Sequence, residues 1–261
     1  MLRIRIWQWP NLLALDAALI ALVWQAAFAA ALGLQVSAAA RLVLGLSVWL
    51  TYMADRLFDV AQRPVTQLYS ARHRFAKKYS RRLWGIWVGV LIADLITALS
   101  LLEATQLRNG SVLLALCLLY TALNQLLSRR FFPKEICVAV IYAGGVVVFL
   151  SLPFPWLAAG TLALLCLINC LMIGTKEQRI DAAMQVRSMT QLSSHLIVLL
   201  FVATALPLWF LHSQLALAHG LSLAALLIIQ VLQQRIPVET FRVLTDSALL
   251  IGPAAALLLH L

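Results

Sequence analysis

Two pairs of carboxylates are the residues of this chain best suited to chemistry. Asp55 and Asp59 lie at the end of one long apolar run, and Glu177 and Asp181 follow another. On a helix, side chains four positions apart lie on one face, with Cβ atoms about 5–6 Å apart. Carboxylates this close repel each other unless a cation lies between them, and Mg²⁺ is commonly held by one or two carboxylates together with substrate phosphates. The spacing therefore indicates cation sites that would suit a phosphorylated ligand.

The helices that carry these acids are predicted to cross a membrane. The chain has 261 residues, 63% hydrophobic and only 11% charged, and its mean hydropathy is +0.92. Soluble domains carry about a quarter charged residues, and a transmembrane helix needs about 20 mostly apolar residues. We predict an all-α polytopic membrane protein with about nine transmembrane helices, at roughly 14–34, 37–57, 83–103, 110–128, 135–153, 155–174, 191–211, 216–233 and 243–261.

The net charge of +10 lies almost entirely on one side of this predicted bundle. If the N-terminus is cytoplasmic, 18 of the 20 Lys and Arg residues fall on the cytoplasmic side, which is the arrangement of the positive-inside rule. Both acid pairs then face the cytoplasm. This distribution and the hydropathy exclude a nucleic-acid-binding protein, and they predict an integral protein of the bacterial inner membrane.

A basic segment follows the first acid pair. Between Val60 and Arg82 there are seven basic residues, Arg72 and Arg74 among them, and no acid. These residues could set the topology and attract anionic membrane lipids, or they could clamp a polyanionic group held by the carboxylates. Both functions are compatible. We predict that His73, between two arginines, is a surface histidine.

Three further acids fall inside predicted spans and keep a second class of function open. Asp94 and Asp246 could relay protons, form polar contacts between helices, or be protonated, and Asp16 could be functional or a solvated acid at the start of its helix. A proton- or ion-coupled transporter would use such residues, but it concentrates them near the membrane midplane. The paired acids here lie at one surface. No linker divides the chain, so we predict one domain, residues 1–261, which could consist of halves at about 1–130 and 131–261.

The motifs resemble those of the UbiA superfamily of intramembrane prenyltransferases. The first motif of that family, N-x-x-x-D-x-x-x-D, often with Arg after the first Asp, is matched by Thr51, Asp55, Arg56 and Asp59. The second motif, D-x-x-x-D, is matched by Glu177 and Asp181. The Leu15-Asp16 pair is similar to the LDxP opening of some members, and the basic turn at Arg129-Arg130 matches a Lys-Arg turn. Thr51, Glu177 and Ala18 depart from the family's Asn, Asp and Pro, which marks a divergent branch.

The resemblance implies a Mg²⁺-dependent transfer of a polyprenyl group from its diphosphate to an aromatic or other electron-rich, lipid-soluble acceptor. Asp55 with Asp59 would hold one Mg²⁺, and Glu177 with Asp181 a second. The diphosphate would be bound by Arg56, Arg72, Arg74, Arg130, Lys134 and Lys176. The acceptor would lie near Thr51, Asp16 and Asn124. An alternative within the same superfamily is a lipid reaction other than prenyl transfer.

Overall fold

The computed structural model describes residues 5–61, 70–127, 133–150, 154–183 and 195–259. Within these ranges the chain forms helices and short 3-10 turns, without a strand. The helices are α1 (Trp9–Leu12), α2 (Leu15–Ala31), α3 (Ala38–Ala61), α4 (Ala71–Leu101), α5 (Ala104–Leu127), α6 (Lys134–Val147), α7 (Trp156–Ala183), α8 (His195–Ala205), α9 (Ser213–Val231) and α10 (Val238–Leu258). The all-α class predicted from the sequence is confirmed.

Within the described part of the chain, fewer helices are suited to span a membrane than the sequence predicts. Among the described residues, five helices are long and apolar enough to cross a membrane, namely α4, α5, α7, α9 and α10. The bent pair formed by the N-terminal turns and α2 would be a sixth. Helix α6 has 14 residues and is therefore about 21 Å long, which is shorter than the hydrocarbon core of about 30 Å. The prediction of nine spans is approximate because an apolar run is not always one straight helix.

Helices α4 and α5 present their apolar side chains outward. Leu99 is 72% exposed and Leu118 is 62% exposed, and most apolar side chains of these two helices lie outside the core. Large exposed apolar surfaces are rare on soluble monomers, whereas lipid tails solvate them. This surface therefore supports a position in the membrane for these two helices.

Helix α2 lies at the centre of the bundle. Its Trp24 and Phe28 are fully buried, and the Trp24 Nε1–H donates to the carbonyl of Leu249 on α10 at 2.9 Å. The ring of His219 on α9 packs against Trp24 with a centroid distance of 4.6 Å. Aromatic rings with polar edges suit such positions because they fill volume while their N–H groups find carbonyl partners. Helices α2, α9 and α10 are thereby held in one core.

The crossing of α9 and α10 is unusually close at Gly252. A Cβ atom at this position would lie 1.8 Å from the carbonyl oxygen of Ala218 and 2.6 Å from Oγ of Ser222. Small residues at such crossings allow the backbones of membrane helices to approach. Gly252 therefore sets the distance between α9 and α10.

A sharp bend separates α1 from α2. The two apolar segments meet at 78°, and Ala14 at the junction has a φ of 56°, in the left-handed region that residues other than glycine rarely adopt. The buried guanidinium of Arg56 on α3 donates to the carbonyls of Asn11 and Leu12. The last carbonyls of a helix lack partners within that helix. A side chain from a neighbouring helix therefore stabilises the end of α1.

Helix α4 begins earlier than the sequence predicts. It begins at Ala71, whereas the predicted span begins near residue 83, and the hydroxyl of Ser70 accepts from the His73 N–H at 3.3 Å as an N-terminal cap. The basic residues from Arg72 to Arg82 thus lie on helical turns. A hydropathy window misses this extension because polar residues can form helix without adding to the apolar run.

The prediction that His73 is a surface histidine is wrong. His73 is 6% exposed, and its Nδ1 lies 2.8 Å from the hydroxyl oxygen of Ser70. The neighbouring Phe75 packs with Met53 and Leu57 in a second core between α3 and α4. Burial of this part of α4 against α3 places His73 inside the bundle rather than on the surface.

Candidate functional site

A polar cavity of about 260 Å³ lies between α1–α7 and α10. Six of the ten acids of the chain line it: Asp16, Asp55, Asp59, Glu135, Glu177 and Asp246. Its basic side chains are Arg56, Arg72 and Lys134, beside His73. Three of the four acids of the two predicted motifs thus line the same cavity, although the motifs are separated by more than a hundred residues in the sequence.

The first acid pair lies on the last turns of α3. Asp55 is exposed and Asp59 is half-buried, and both line the cavity. The Nε2 atom of His73 lies 3.7 Å from Oδ2 of Asp59. Because like charges on one helix face repel, this arrangement favours a cation between the carboxylates or next to them. The position of the pair agrees with the helical spacing from which it was predicted.

The second motif is only partly within the described residues. Glu177 is buried on α7, at 6% exposed, and its carboxylate accepts from two arginines. Arg242 of α10 donates to Oε1, and Nη2 of Arg72 lies 3.5 Å from Oε2. The side chain of Asp181 lies outside the described residues. Glu177 therefore lines the cavity while its carboxylate is bound by Arg72 and Arg242.

The six predicted diphosphate ligands have different positions. Arg72 and Lys134 line the cavity. Arg56 also lines it, while one of its nitrogen atoms donates to the carbonyl of Leu12 at 3.1 Å. The ammonium of Lys176 donates to the carbonyl of Gln233 at 2.5 Å and lies over the ring of Phe241.

The remaining members of the predicted sets lie elsewhere or outside the described residues. Arg74 is exposed on α4, and Arg130 lies outside the described residues. The exposed Thr51 donates its hydroxyl to the carbonyl of Ser47 at 2.9 Å, along its own helix. The side chain of Asn124 is not among those described. Asp16 lines the cavity, so of the two predicted acceptor residues whose side chains the structure describes, it is the one that lies with the other site residues.

Asn11 and Asn169 add a second group of polar side chains to the cavity lining. Nδ2 of Asn11 donates to Oδ2 of Asp16 at 2.7 Å and to Oδ2 of Asp246 at 3.2 Å. Nδ2 of Asn169 donates to Oδ1 of Asp246 at 3.2 Å. Two of the three acids predicted inside spans thus belong to the cavity wall, and amide groups hold their carboxylates in place.

Sequence reasoning missed several cavity residues. Tyr52 precedes Asp55 by three positions and Asp59 by seven, so helical spacing could have placed it on their face. No comparable signal existed for Tyr142, whose hydroxyl donates to the carbonyl of Ala17 at 2.7 Å. The partner of Glu177, Arg242, is also distant in sequence, and its role depends on the packing of α7 against α10.

Asp94 differs from the other intramembrane acids. It is 7% exposed, and its Oδ2 accepts from the hydroxyl of Ser47 on α3 at 2.7 Å. It is not among the residues that line the described cavity. The structure therefore favours a polar contact between α3 and α4 for Asp94, one of the three roles left open by the sequence.

We expect Asp94→Asn to leave the fold and ligand binding unchanged, because an amide oxygen can still accept from Ser47. Hydrogen bonds between membrane helices contribute about 0.6 kcal/mol on average. Thermal unfolding of the purified variant should agree with that of the wild type to within about 2 °C. A proton-relay residue would behave differently, because an amide cannot take up and release a proton as a carboxyl group does. Loss of function with an unchanged melting temperature would therefore contradict the contact role.

The donors suit Mg²⁺ at the first acid pair. Asp55 and Asp59 present oxygen ligands to a cavity that also holds basic side chains for an anion. Among the described residues, no group of three or more His, Cys, Asp or Glu side chains could hold a metal ion. A Mg²⁺ ion here would therefore need oxygens from a ligand and from water, which is its usual coordination in phosphate sites.

Comparison with known proteins identifies the fold. No protein-family model and no curated protein matches the chain. The apo structure of a UbiA homolog from Aeropyrum pernix K1 is similar over 94% of this chain and 98% of that chain, with a TM-score of 0.65 and 14% sequence identity. The chain has the UbiA fold. The predicted resemblance to the UbiA superfamily is thus confirmed at the level of the fold.

Proposed function

We propose that this protein is a Mg²⁺-dependent intramembrane prenyltransferase that moves a polyprenyl group from its diphosphate to an aromatic or other electron-rich, lipid-soluble acceptor. The observation that carries the proposal is one cavity, within an apolar helical bundle, that is lined by Asp55, Asp59 and three basic side chains. A diphosphate with an isoprenoid tail needs both a charged head-group site and apolar surroundings. The fold and the two motifs add support at the superfamily level.

The head group would be bound by opposite charges in the cavity. A Mg²⁺ ion held by Asp55 and Asp59 would neutralise diphosphate oxygens and make pyrophosphate a better leaving group. Arg72 and Lys134 would donate charge-assisted hydrogen bonds to the same group, and these bonds strengthen as negative charge develops on it in a site with little water. The basic side chains thus lower the barrier to breaking the bond between the prenyl C1 atom and oxygen.

The proposed transfer breaks one bond of the prenyl diphosphate and forms one bond to the acceptor. The C1–O bond breaks, and pyrophosphate leaves with the electron pair. A nucleophilic atom of the acceptor forms the new bond to C1, and the acceptor releases a proton. Tyr52 and Tyr142, whose ring centroids are 6.1 Å apart, line the cavity and would stabilise positive charge on the prenyl group through their ring faces. Asp16 and Asp246 are carboxylates in the same cavity that could accept the proton.

The cavity volume limits what can be enclosed. Ligand pockets usually measure about 300–1,000 Å³, whereas this cavity measures about 260 Å³. We infer that it holds the head group with the reacting end of the chain, and that the rest of the isoprenoid tail lies among the helices and lipids. This explains why the reaction would take place in a membrane, with the active site on the cytoplasmic side if the charge distribution sets the orientation.

Binding and turnover of prenyl diphosphates test the proposal. Geranyl, farnesyl and geranylgeranyl diphosphate would be titrated into the detergent-purified protein by calorimetry, once with Mg²⁺ and once with EDTA. Pyrophosphate release with a panel of phenolic and quinol acceptors would be scored separately. We expect binding that depends on Mg²⁺ for at least one chain length.

Binding that is absent, or equal with and without metal, would contradict the prenyltransferase proposal. Transport assays in proteoliposomes would then test the ion-coupled alternative, for which Asp16 and Asp246 are the two acids predicted inside spans that also line the cavity. Metal-dependent binding without transfer to any acceptor would instead favour a different lipid reaction at the same diphosphate site.

A further inference from the structure

Glu177 lies between two arginines from different helices. Its Oε1 accepts from the guanidinium of Arg242, and its Oε2 lies 3.5 Å from Nη2 of Arg72. Arg242 is 1% exposed and Glu177 is 6% exposed. Buried charges are stable only when they are paired and hydrogen-bonded. Removal of Glu177 would leave Arg242 with a single carboxylate partner, so this contact fixes the position of the Glu177 side chain.

The same network fixes the beginning of α4. Nη1 of Arg242 donates to Oε2 of Glu239 at 3.1 Å, and Oε1 of Glu239 accepts from the backbone N–H of Ala71 at 3.1 Å. Ala71 is the first residue of α4, and Arg72 is the next. Arg72 is therefore positioned twice, by Glu239 through the backbone of the preceding residue Ala71 and by Glu177 through its own side chain.

Arg72 still has donors available for an anion. Its contact with Glu177 is long, at 3.5 Å, and its Nε–H is buried with no hydrogen-bond partner within the part of the chain that the structure describes. Arg72 also lines the cavity. An arginine that lines a cavity and has an unused N–H group is suited to bind a phosphate after a small side-chain rotation, because arginine binds phosphates with two parallel N–H groups.

We propose that Glu177 is a positioning residue, which is anchored by Arg242 and which orients Arg72 toward the diphosphate, and that it does not ligate a metal ion. This inference rests on the proposed function. Both oxygens of Glu177 face guanidinium groups, so a divalent cation at the same carboxylate would lie among like charges and be repelled. Asp55 and Asp59 also line the cavity, where the imidazole of His73 lies 3.7 Å from Oδ2 of Asp59. The prediction of a second Mg²⁺ at Glu177 and Asp181 is the competing interpretation.

Counting bound metal ions separates the two interpretations. Mn²⁺, used as a paramagnetic substitute for Mg²⁺, would be titrated into the full-length protein with a slowly reacting prenyl thiolodiphosphate present, and free Mn²⁺ would be measured by electron paramagnetic resonance. The proteins compared are wild type, Glu177→Gln, Glu177→Asp and, as a control far from the cavity, Glu103→Gln. We expect every variant to bind as many Mn²⁺ ions as the wild type.

Affinity for the thiolodiphosphate provides the second measurement. We expect Glu177→Gln and Glu177→Asp each to weaken binding about tenfold. Glutamine lacks the negative charge, and the aspartate side chain is one methylene too short to contact both arginines. Aspartate is an equally good metal ligand and is the residue found in the family motif, so a metal-ligating role predicts normal binding for Glu177→Asp. This variant also keeps a negative charge beside Arg242, so the test does not depend on the folding of Glu177→Gln.

A double variant tests whether Glu177 acts through Arg72. Arg72→Gln alone should weaken binding about tenfold, and adding Glu177→Gln should weaken it no further, since residues that act through one contact are not additive. Independent, additive losses would overturn the positioning role.

The remaining outcomes also decide the proposal. Loss of one Mn²⁺ equivalent in Glu177→Gln would overturn this inference while leaving the prenyltransferase proposal intact. A wild-type protein that binds neither Mn²⁺ nor the thiolodiphosphate would overturn both.

Discussion

Asp55→Asn should remove the effect of Mg²⁺ on prenyl diphosphate binding and reduce turnover at least about 100-fold. The substitution keeps the size of the side chain but removes the negative charge that attracts the cation. Asp55 is exposed to the cavity on the last turns of α3, one helical turn before Asp59. Calorimetric titrations with Mg²⁺ and with EDTA would measure the change, and the two affinities of the variant should coincide.

Asp94→Asn is the matched control for this experiment. The chemical change is identical, but Asp94 is bound to Ser47 between α3 and α4 and is not among the residues that line the described cavity. We expect it to retain the full effect of Mg²⁺. If Asp55→Asn bound prenyl diphosphates as tightly as the wild type and still required Mg²⁺, the first acid pair would not be the metal site.

Gly252→Ala should strongly destabilise the bundle. The new Cβ atom would lie 1.8 Å from the backbone carbonyl oxygen of Ala218, and no side-chain rotation can relieve a contact with backbone. The two helices must separate, which costs about 3 kcal/mol and should lower the melting temperature by roughly 6–10 °C. Scanning fluorimetry of the purified protein would measure the shift.

Gly89→Ala is the matched control for the close crossing. Gly89 lies in the interior of α4 and, within the described part of the chain, has no neighbouring atom within 4 Å of an added Cβ. Alanine stabilises a helix by about 0.5–1 kcal/mol relative to glycine, so this variant should melt at or slightly above the wild-type temperature. An equal loss of stability in both variants would mean that the close contact between α9 and α10 at Gly252 does not decide the result.

The positions of most helices could be predicted because the membrane imposes a local requirement. In lipid every backbone N–H and C=O must be paired, so an apolar run of sufficient length forms a helix almost regardless of its neighbours. The prediction from apolar runs fails where polar residues extend a helix beyond the membrane. Ser70 caps α4 well before its apolar run begins, and a hydropathy pattern contains no signal for that cap.

The first acid pair could also be predicted, because its geometry depends on one helix only. Asp55 and Asp59 share a face of α3 through the period of the helix, and the structure places both in the cavity. Tyr52 follows from the same period. Glu177 is different: its spacing with Asp181 indicates a shared face, but its partners Arg72 and Arg242 come from two other helices.

By itself the sequence determined an all-α membrane protein and the identity of the acids that could hold a cation, and its motifs resemble those of the UbiA superfamily. The helical class and the acid spacing follow from hydropathy, charge and helical period, which are local along the chain. Only the tertiary structure decided that Asp16 and Asp246 join the first acid pair in one cavity, that Asp94 does not, and that Glu177 is bound by two arginines. The reason is physical: a helix period fixes which side chains share a face, whereas the partner of that face depends on how α2, α4, α7 and α10 pack.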